Sequence, residues 1–311
     1  MTTITIGTRK SKLALWQAES VARVLEANGA KTVIAAFETR GDKILDRSIA
    51  KIGSKGVFTE ELEEQLANGT TDIAVHSAKD MQSTLPEGFE LIAFTDREES
   101  HDVLLSHRQS IDLNDISRPL TIGTSSVRRV ALLQHYHPHL KTVPMRGNLQ
   151  TRLRKLREGA CDALMLAYAG VVRMGYQDMI VHSFSIDQFI PPVGQGCIAI
   201  EAATILSEEK RKLIRSCLNN PQSELVLRAE RAYLKTLEGG CSIPAFGHAR
   251  LVDQVIYLTG GLSSLDGSWL LFKTMSGSTD DPEALGSALG TYVLTTGGRA
   301  VLEAIRADQS E

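Results

Sequence analysis

The chain has 311 residues, 42% of them hydrophobic and 23% charged, with a formal net charge of −3. Such values fit a globular protein of two or three domains and offer no global attraction for a polyanion such as nucleic acid. No apolar run is long enough to span a bilayer; Cys161, Cys197, Cys217 and Cys241 are widely spaced with no CxxC pair, which argues against a zinc site, and a reducing compartment argues against a disulfide framework.

Thr3 to Gly7 reads as a first strand and not as an export signal, so a cytoplasmic protein is expected. Thr8-Arg9-Lys10-Ser11 leads into a helix in which Leu13, Trp16, Val21, Val24 and Leu25 recur at helical spacing, with Asn28-Gly29 as the stop. Val33 to Phe37 is the next strand. A loop follows with Thr39-Arg40-Gly41-Asp42 and the Gly- and Lys-rich Lys51-Ile52-Gly53-Ser54-Lys55-Gly56. On composition, Ile44 to Gly56 is a candidate lid. Phe58, Leu62 and Leu66 mark a second helix ending at Asn68-Gly69. Ile73-Ala74-Val75 is a buried strand that runs out into His76-Ser77-Ala78-Lys79-Asp80, and Leu91 to Phe94 is another. This β-α-β alternation predicts a mostly parallel sheet covered by helices.

The charged run Asp96 to Asp102 reads as a crossing to a second unit with the same rhythm. Its strands are Leu120 to Gly123, Thr142 to Met145 and Ala163 to Leu166. Thr124-Ser125-Ser126-Val127-Arg128-Arg129 opens a helix to about Tyr136; Arg146-Gly147-Asn148 turns into the helix carrying Arg152; Arg173 lies in a short helix. Ile190 to Gly196 returns the chain, and Ile198 to Ile200 adds a strand to the first unit, giving two α/β lobes around a hinged cleft. From about Asn219 the pattern changes. A helix from Glu224 to Leu237 leads to Glu238-Gly239-Gly240-Cys241. Strands Val255 to Thr259 and Trp269 to Lys273 join through Asp266-Gly267, and helices at Pro282 to Leu294 and Gly298 to Arg306 close the chain. The expected division is residues 1–96 with 197–216, residues 97–196, and a small α+β unit over 217–311.

Ligands of open α/β sheets collect beyond the carboxyl ends of strands, where Asp80 stands. Alone, an Asp in such a turn reads first as a cap. The arginines shift that balance. Arg128 and Arg129 in the first turn of a helix oppose its dipole unless an anion sits between them; the plainer alternative is a serine cap with two solvated arginines. Arg9, Arg146, Arg152 and Arg173 also fall in strand-end segments, and guanidinium suits carboxylate or phosphate. A small polyanionic ligand is anticipated. Cys241 follows two glycines on a flexible loop, and the other three cysteines read as core.

Taken in order, these stretches resemble the porphobilinogen deaminase (hydroxymethylbilane synthase) family. They are Gly7 to Ala14, Gly53 to Phe58, Val75 to Asp80, Gly123 to Arg129, Arg146-Gly147-Asn148 with Thr151-Arg152-Leu153, Gly194-Gln195-Gly196 and Glu238 to Cys241. The resemblance implies two lobes similar to hinged periplasmic binding proteins, a third domain, and a monomer that takes porphobilinogen and requires no metal. It implies a dipyrromethane cofactor held by a thioether to Cys241, with Lys79, Ser126, Arg128, Arg129 and Arg146 as its binding residues. Arg9, Ser11, Lys51, Lys55, Arg152, Arg173, Asn148 and Gln195 match substrate positions, and Asp80 matches the catalytic carboxylate. Met81-Gln82, Cys197 and Ser242-Ile243 depart from the commonest pattern. A two-lobed binding module without chemistry and a thiol hydrolase are the competing readings; neither explains the whole set.

Overall fold

The computed structural model describes residues 1–39, 59–108, 110–240 and 242–310. The first lobe is a sheet of β1 (Thr3–Arg9), β2 (Lys31–Phe37), β3 (Ile73–Ser77), β4 (Phe89–Phe94) and β10 (Ile198–Ala203), in the order β2-β1-β3-β10-β4. Helix α1 (Lys12–Ala27) packs on it through Ala18, Val21, Ala22 and Leu25, with Ser11 as its cap accepting from Ala14 N. Helix α2 (Glu60–Ala67) buries Leu62 and Leu66.

The second lobe repeats this plan. Strands β5 (Asp102–Leu105), β6 (Thr121–Gly123), β7 (Lys141–Val143), β8 (Ala163–Ala167) and β9 (Ile180–Ser183) lie in the order β7-β6-β8-β5-β9. Helices α3 (Val127–Tyr136), α4 (Leu149–Arg157) and α5 (Tyr168–Arg173) follow β6, β7 and β8. Matched strand for strand, the two sheets have the same order, and in each one strand enters directly after a crossing: β5 after the first, β10 after the second.

The expectation of mostly parallel sheets holds for four of the five strands in each lobe, and those two strands are the exceptions. β10 is antiparallel to β3 and β4, and β5 to β8 and β9, while β1 with β2 and β3, and β6 with β7 and β8, are parallel. A chain arriving from the other lobe enters the sheet from the end opposite to the lobe's own βα units, which reverses its direction.

After β10, helix α6 (Glu208–Leu218), unanticipated in the sequence, closes the first lobe, and α7 (Pro221–Thr236) begins three residues before the expected Glu224, with Asn220 as its cap and Pro221 in its first turn. The third unit is an antiparallel sheet, β11 (Ala245–Val252), β12 (Val255–Ser263) and β13 (Leu270–Ser278), packed on α7 and on α8 (Pro282–Val293); α9 (Arg299–Ser310) ends the described chain. Helices α7 and α8 approach closely because Gly286 lies against the α7 backbone, where a Cβ would sit 2.1 Å from Ala229 O.

Glu230 of α7 joins all three units. Its carboxylate takes Arg97 of the first crossing (2.5 Å), Gly194 N of the second (2.8 Å) and Ala249 N of β11 (2.7 Å). Arg97 also donates to Gln195 O at 2.9 Å, so both crossings meet at one buried carboxylate.

Candidate functional site

Asp80 ends a single 3-10 turn, Ala78–Asp80, directly after β3. That turn is fixed from below: Ala78 and Met81 are buried in the apolar cluster that also holds Leu237 and Ile243, the residues bracketing the glycine loop of the third unit. Gln82 holds the next link, donating to Thr59 Oγ1 at 3.2 Å while its carbonyl accepts from Arg231 of α7 at 2.8 Å. The departures at Met81 and Gln82 therefore pack the turn. Asp80 itself is exposed, and with Arg9, Ser11, Gln17, His76 and Ser77 it lines a pocket at the carboxyl ends of β1 and β3. Gln17 donates to Ser77 Oγ at 3.0 Å across that pocket.

Beside Asp80, the Lys79 ammonium donates to Gln195 Oε1 at 3.2 Å. Loss of hydration, and then the positive charge of Arg129, lower its pKa to about 8, with Asp80 and Asp102 pulling the other way. Arg152 reaches the same region from the second lobe. Burial brings its pKa down to about 10, Arg129 and Arg146 add repulsion, and Asp80 opposes them. Arg152 Nε is steadied by Gly147 O at 2.8 Å. Asp80, Lys79, Arg129, Arg146 and Arg152 thus form one electrostatic neighbourhood across the cleft.

Arg128 and Arg129 are not solvated, and the pair already holds an anion that belongs to the chain itself. They are 3% and 6% exposed, and the anion between them is Asp102 of β5, at 2.5 Å from Arg128 Nη2 and 2.7 Å from Arg129 Nη2. Burial by itself would raise the Asp102 pKa, but the two guanidiniums outweigh it and hold the carboxyl far below the usual range. Remaining donors go to Ile190 O and Met165 O, while both Nε atoms are buried without a hydrogen-bond partner. Asp102 was hidden in the sequence as the tail of a charged run; the apolar Val103-Leu104-Leu105 behind it was the available signal.

Gln195, matched to a substrate position, is fully buried beneath the site. Its amide nitrogen donates to Ser100 O at 2.6 Å and Asp102 Oδ1 at 3.0 Å while its oxygen receives Lys79, so its placement is that of a bridge between Asp102 and Lys79. Arg173 is also engaged elsewhere: it donates to Gly196 O at 2.7 Å, and its guanidinium lies 5.6 Å from the Trp16 ring of the first lobe. Ser126 and Asn148 cap α3 and α4, accepting from Arg129 N and Thr151 N, so both stand at helix starts facing the cleft side of their strands. Lys51, Lys55, the candidate lid and Cys241 lie outside the described residues. Cys161 and Cys197 are buried thiols whose pKa burial lifts to about 11, in keeping with core roles. Cys217 packs against the first-lobe core. Among the described residues no cluster of side chains could hold a metal ion, and no helix is long and apolar enough to cross a membrane.

Residues 4–211 match the family model described as porphobilinogen deaminase, dipyromethane cofactor binding domain, and residues 225–294 match its C-terminal domain model. The porphobilinogen deaminase of Desulfosudis oleivorans is 59% identical over 99% of both chains. That of Cytophaga hutchinsonii is 54% identical over 98% of this chain and 97% of its own. Among solved structures, an arginine periplasmic binding protein from Legionella pneumophila covers 70% of this chain and 92% of its own at 16% identity, with a TM-score of 0.39. That score is too low to argue from, and the description of two like lobes rests on their matching strand orders. On the two family models and the full-length relatives, this chain belongs to the porphobilinogen deaminase family.

Proposed function

We propose that the chain joins porphobilinogen units head to tail, releasing ammonia each time, on a dipyrromethane primer tethered to Cys241, and then frees hydroxymethylbilane by hydrolysis. The observation that carries this reading is the bipolar pocket, lined by Arg9 and Ser11 and also by Asp80. Porphobilinogen is bipolar too: an aminomethyl group, cationic at neutral pH, sits on a pyrrole that bears acetate and propionate.

The proposed roles follow from that match. Arg9, with Ser11 at the start of α1, takes substrate carboxylate, as a guanidinium and a helix N-terminus both favour. Asp80 faces the reacting end. As the carbon–nitrogen bond breaks and ammonia leaves, positive charge spreads over the methylene carbon and the pyrrole nitrogen, and an ionised carboxylate stabilises it. Lys79, Arg146 and Arg152 offer further carboxylate partners, and Lys51, Lys55, Asn148 and Arg173 remain proposed contacts by family match. Gln195 acts from beneath, orienting Lys79.

A dipyrromethane presents carboxylates and pyrrole N–H groups, so it requires cations with a carboxylate acceptor among them. Lys79, Arg146, Arg152 and Asp80 are such a set, Ser126 adds a hydroxyl, and the buried Nε atoms of Arg128 and Arg129 are donors to spare. The residues fit the group. When bound, it supplies the pyrrole carbon from which the chain is extended. The division at residues 1–96 with 197–216, 97–196 and 217–311, and a cytoplasmic monomer, complete the proposal. The test is ammonia release from porphobilinogen by purified protein, read with its intact mass. Release together with a two-pyrrole increment that Cys241→Ala abolishes is expected; an unmodified chain that is fully active, or no release, would overturn the reading.

A further inference from the structure

His76 is 6% exposed and Glu201 fully buried, and they are diagonal neighbours on the paired strands β3 and β10, where His76 lies opposite Ala199 and Glu201 opposite Ala74. His76 Nε2 lies 3.0 Å from Glu201 Oε2, although the N–H direction is poorly aligned for a hydrogen bond. Neither Glu201 oxygen has another hydrogen-bond partner among the described residues. A fully buried carboxylate requires a positive or proton-bearing neighbour, which places a proton on Nε2 of the imidazole. Nδ1 is the nitrogen left for the pocket. It has no hydrogen-bond partner among the described residues, is not among their enclosed orphan atoms, and belongs to a side chain lining the Asp80 pocket.

We propose that His76, held by Glu201, is the proton acceptor of the condensation. The inference rests on the reading of the pocket given above. Two tasks arise there that one carboxylate performs badly together. Asp80 has to stay ionised to stabilise the cation left by ammonia, and accepting a proton would remove that charge. In the proposed step the ring α-carbon being extended forms a bond to the methylene carbon. Its C–H bond then breaks, the electron pair returns to the ring, and the proton passes to His76 Nδ1. The resulting imidazolium pairs with Glu201, and the proton leaves with the departed ammonia as ammonium.

The surroundings suit a group that changes charge. Facing His76 are Glu201 from β10, Glu63 from α2, and Asp80 and Arg9 around the pocket; Arg231 of α7 acts on Glu201 from behind. Glu63 has its pKa raised, by burial first and with Glu201 adding to it, and His76 acts in the opposite sense.

The test uses His76→Gln in the holoenzyme, because glutamine can still donate to Glu201 but offers no base. The expected result is a kcat lower by about a hundredfold or more, with a porphobilinogen KM that changes little. Substrate deuterated at its free α-carbon should show a larger isotope effect in the variant than in the wild type, since C–H cleavage has become slow. A structural role for His76 would not produce that isotope effect. Wild-type kcat, or a slow variant with no added isotope effect, overturns the proposal. Nitrogen-15 NMR of the wild-type holoenzyme reads the dyad directly and also decides the matter if the variant does not fold. A neutral His76 protonated on Nε2 at pH ~7 is expected, and an imidazolium or an Nδ1–H tautomer overturns it. Ammonia release by the wild type tests the underlying reading separately.

Discussion

Asp102 shows how a residue far along the chain can settle what an arginine pair does. The sequence pointed to an anion between Arg128 and Arg129, with a serine cap and two solvated arginines as the alternative, and the structure supplies that anion from a strand 26 and 27 residues upstream. No local pattern could have named that partner, because burial and strand pairing bring it there. Removing its charge leaves two buried guanidiniums uncompensated. Asp102→Asn is therefore expected to cost about 3–5 kcal/mol of stability, measured by urea unfolding. Lys79 gives a prediction for function. With its pKa lowered to about 8, it carries its charge below that pH and loses it above. Binding of porphobilinogen should weaken as pH rises through 8, and Lys79→Met should bind weakly at every pH without that dependence.

Among the elements, long periodic segments were legible and short or irregular ones were not. Helix α1 was readable from Leu13 to Gly29 because its apolar stripe is regular and its caps are orthodox. Strand β5 has only four residues behind a run of charges, and β9 only four with a weak pattern, so neither announced itself. The packing of α7 on α8 was also invisible, since it turns on one glycine in an unremarkable helix. Gly286→Ala would push a Cβ to 2.1 Å from Ala229 O, and the helices must separate to accept it. A loss of at least about 1–3 kcal/mol is expected, read as a lower melting temperature.

For the molecule as a whole, the sequence showed two lobes, two crossings and a third unit, but not what binds them together. Glu230 does so, receiving Arg97 and two backbone amides from three parts of the chain. Next to that junction, His248 of β11 lies 2.9 Å from Ser100 Oγ of the first crossing. Burial, and then Arg97, lower its pKa from 6.5 to about 4, against the pull of Glu230. Between those two values the unfolded chain binds the proton and the folded one does not. This contribution to stability is complete above pH 6.5 and is lost as pH falls towards 4. A decline of about 1–3 kcal/mol across that window is expected from unfolding midpoints, and His248→Gln should flatten it.

The central claim concerns Asp80, which is exposed and sits in a turn held by Ala78, Met81 and Gln82, so Asp80→Asn should leave the fold intact, and its amide oxygen can still accept from the N–H groups of the primer. The most direct measurement is ammonia release from porphobilinogen by Asp80→Asn protein whose intact mass still carries the two-pyrrole increment. A turnover lower by about a hundredfold or more in that fully primed variant is the result predicted. Turnover at the wild-type rate would contradict the account.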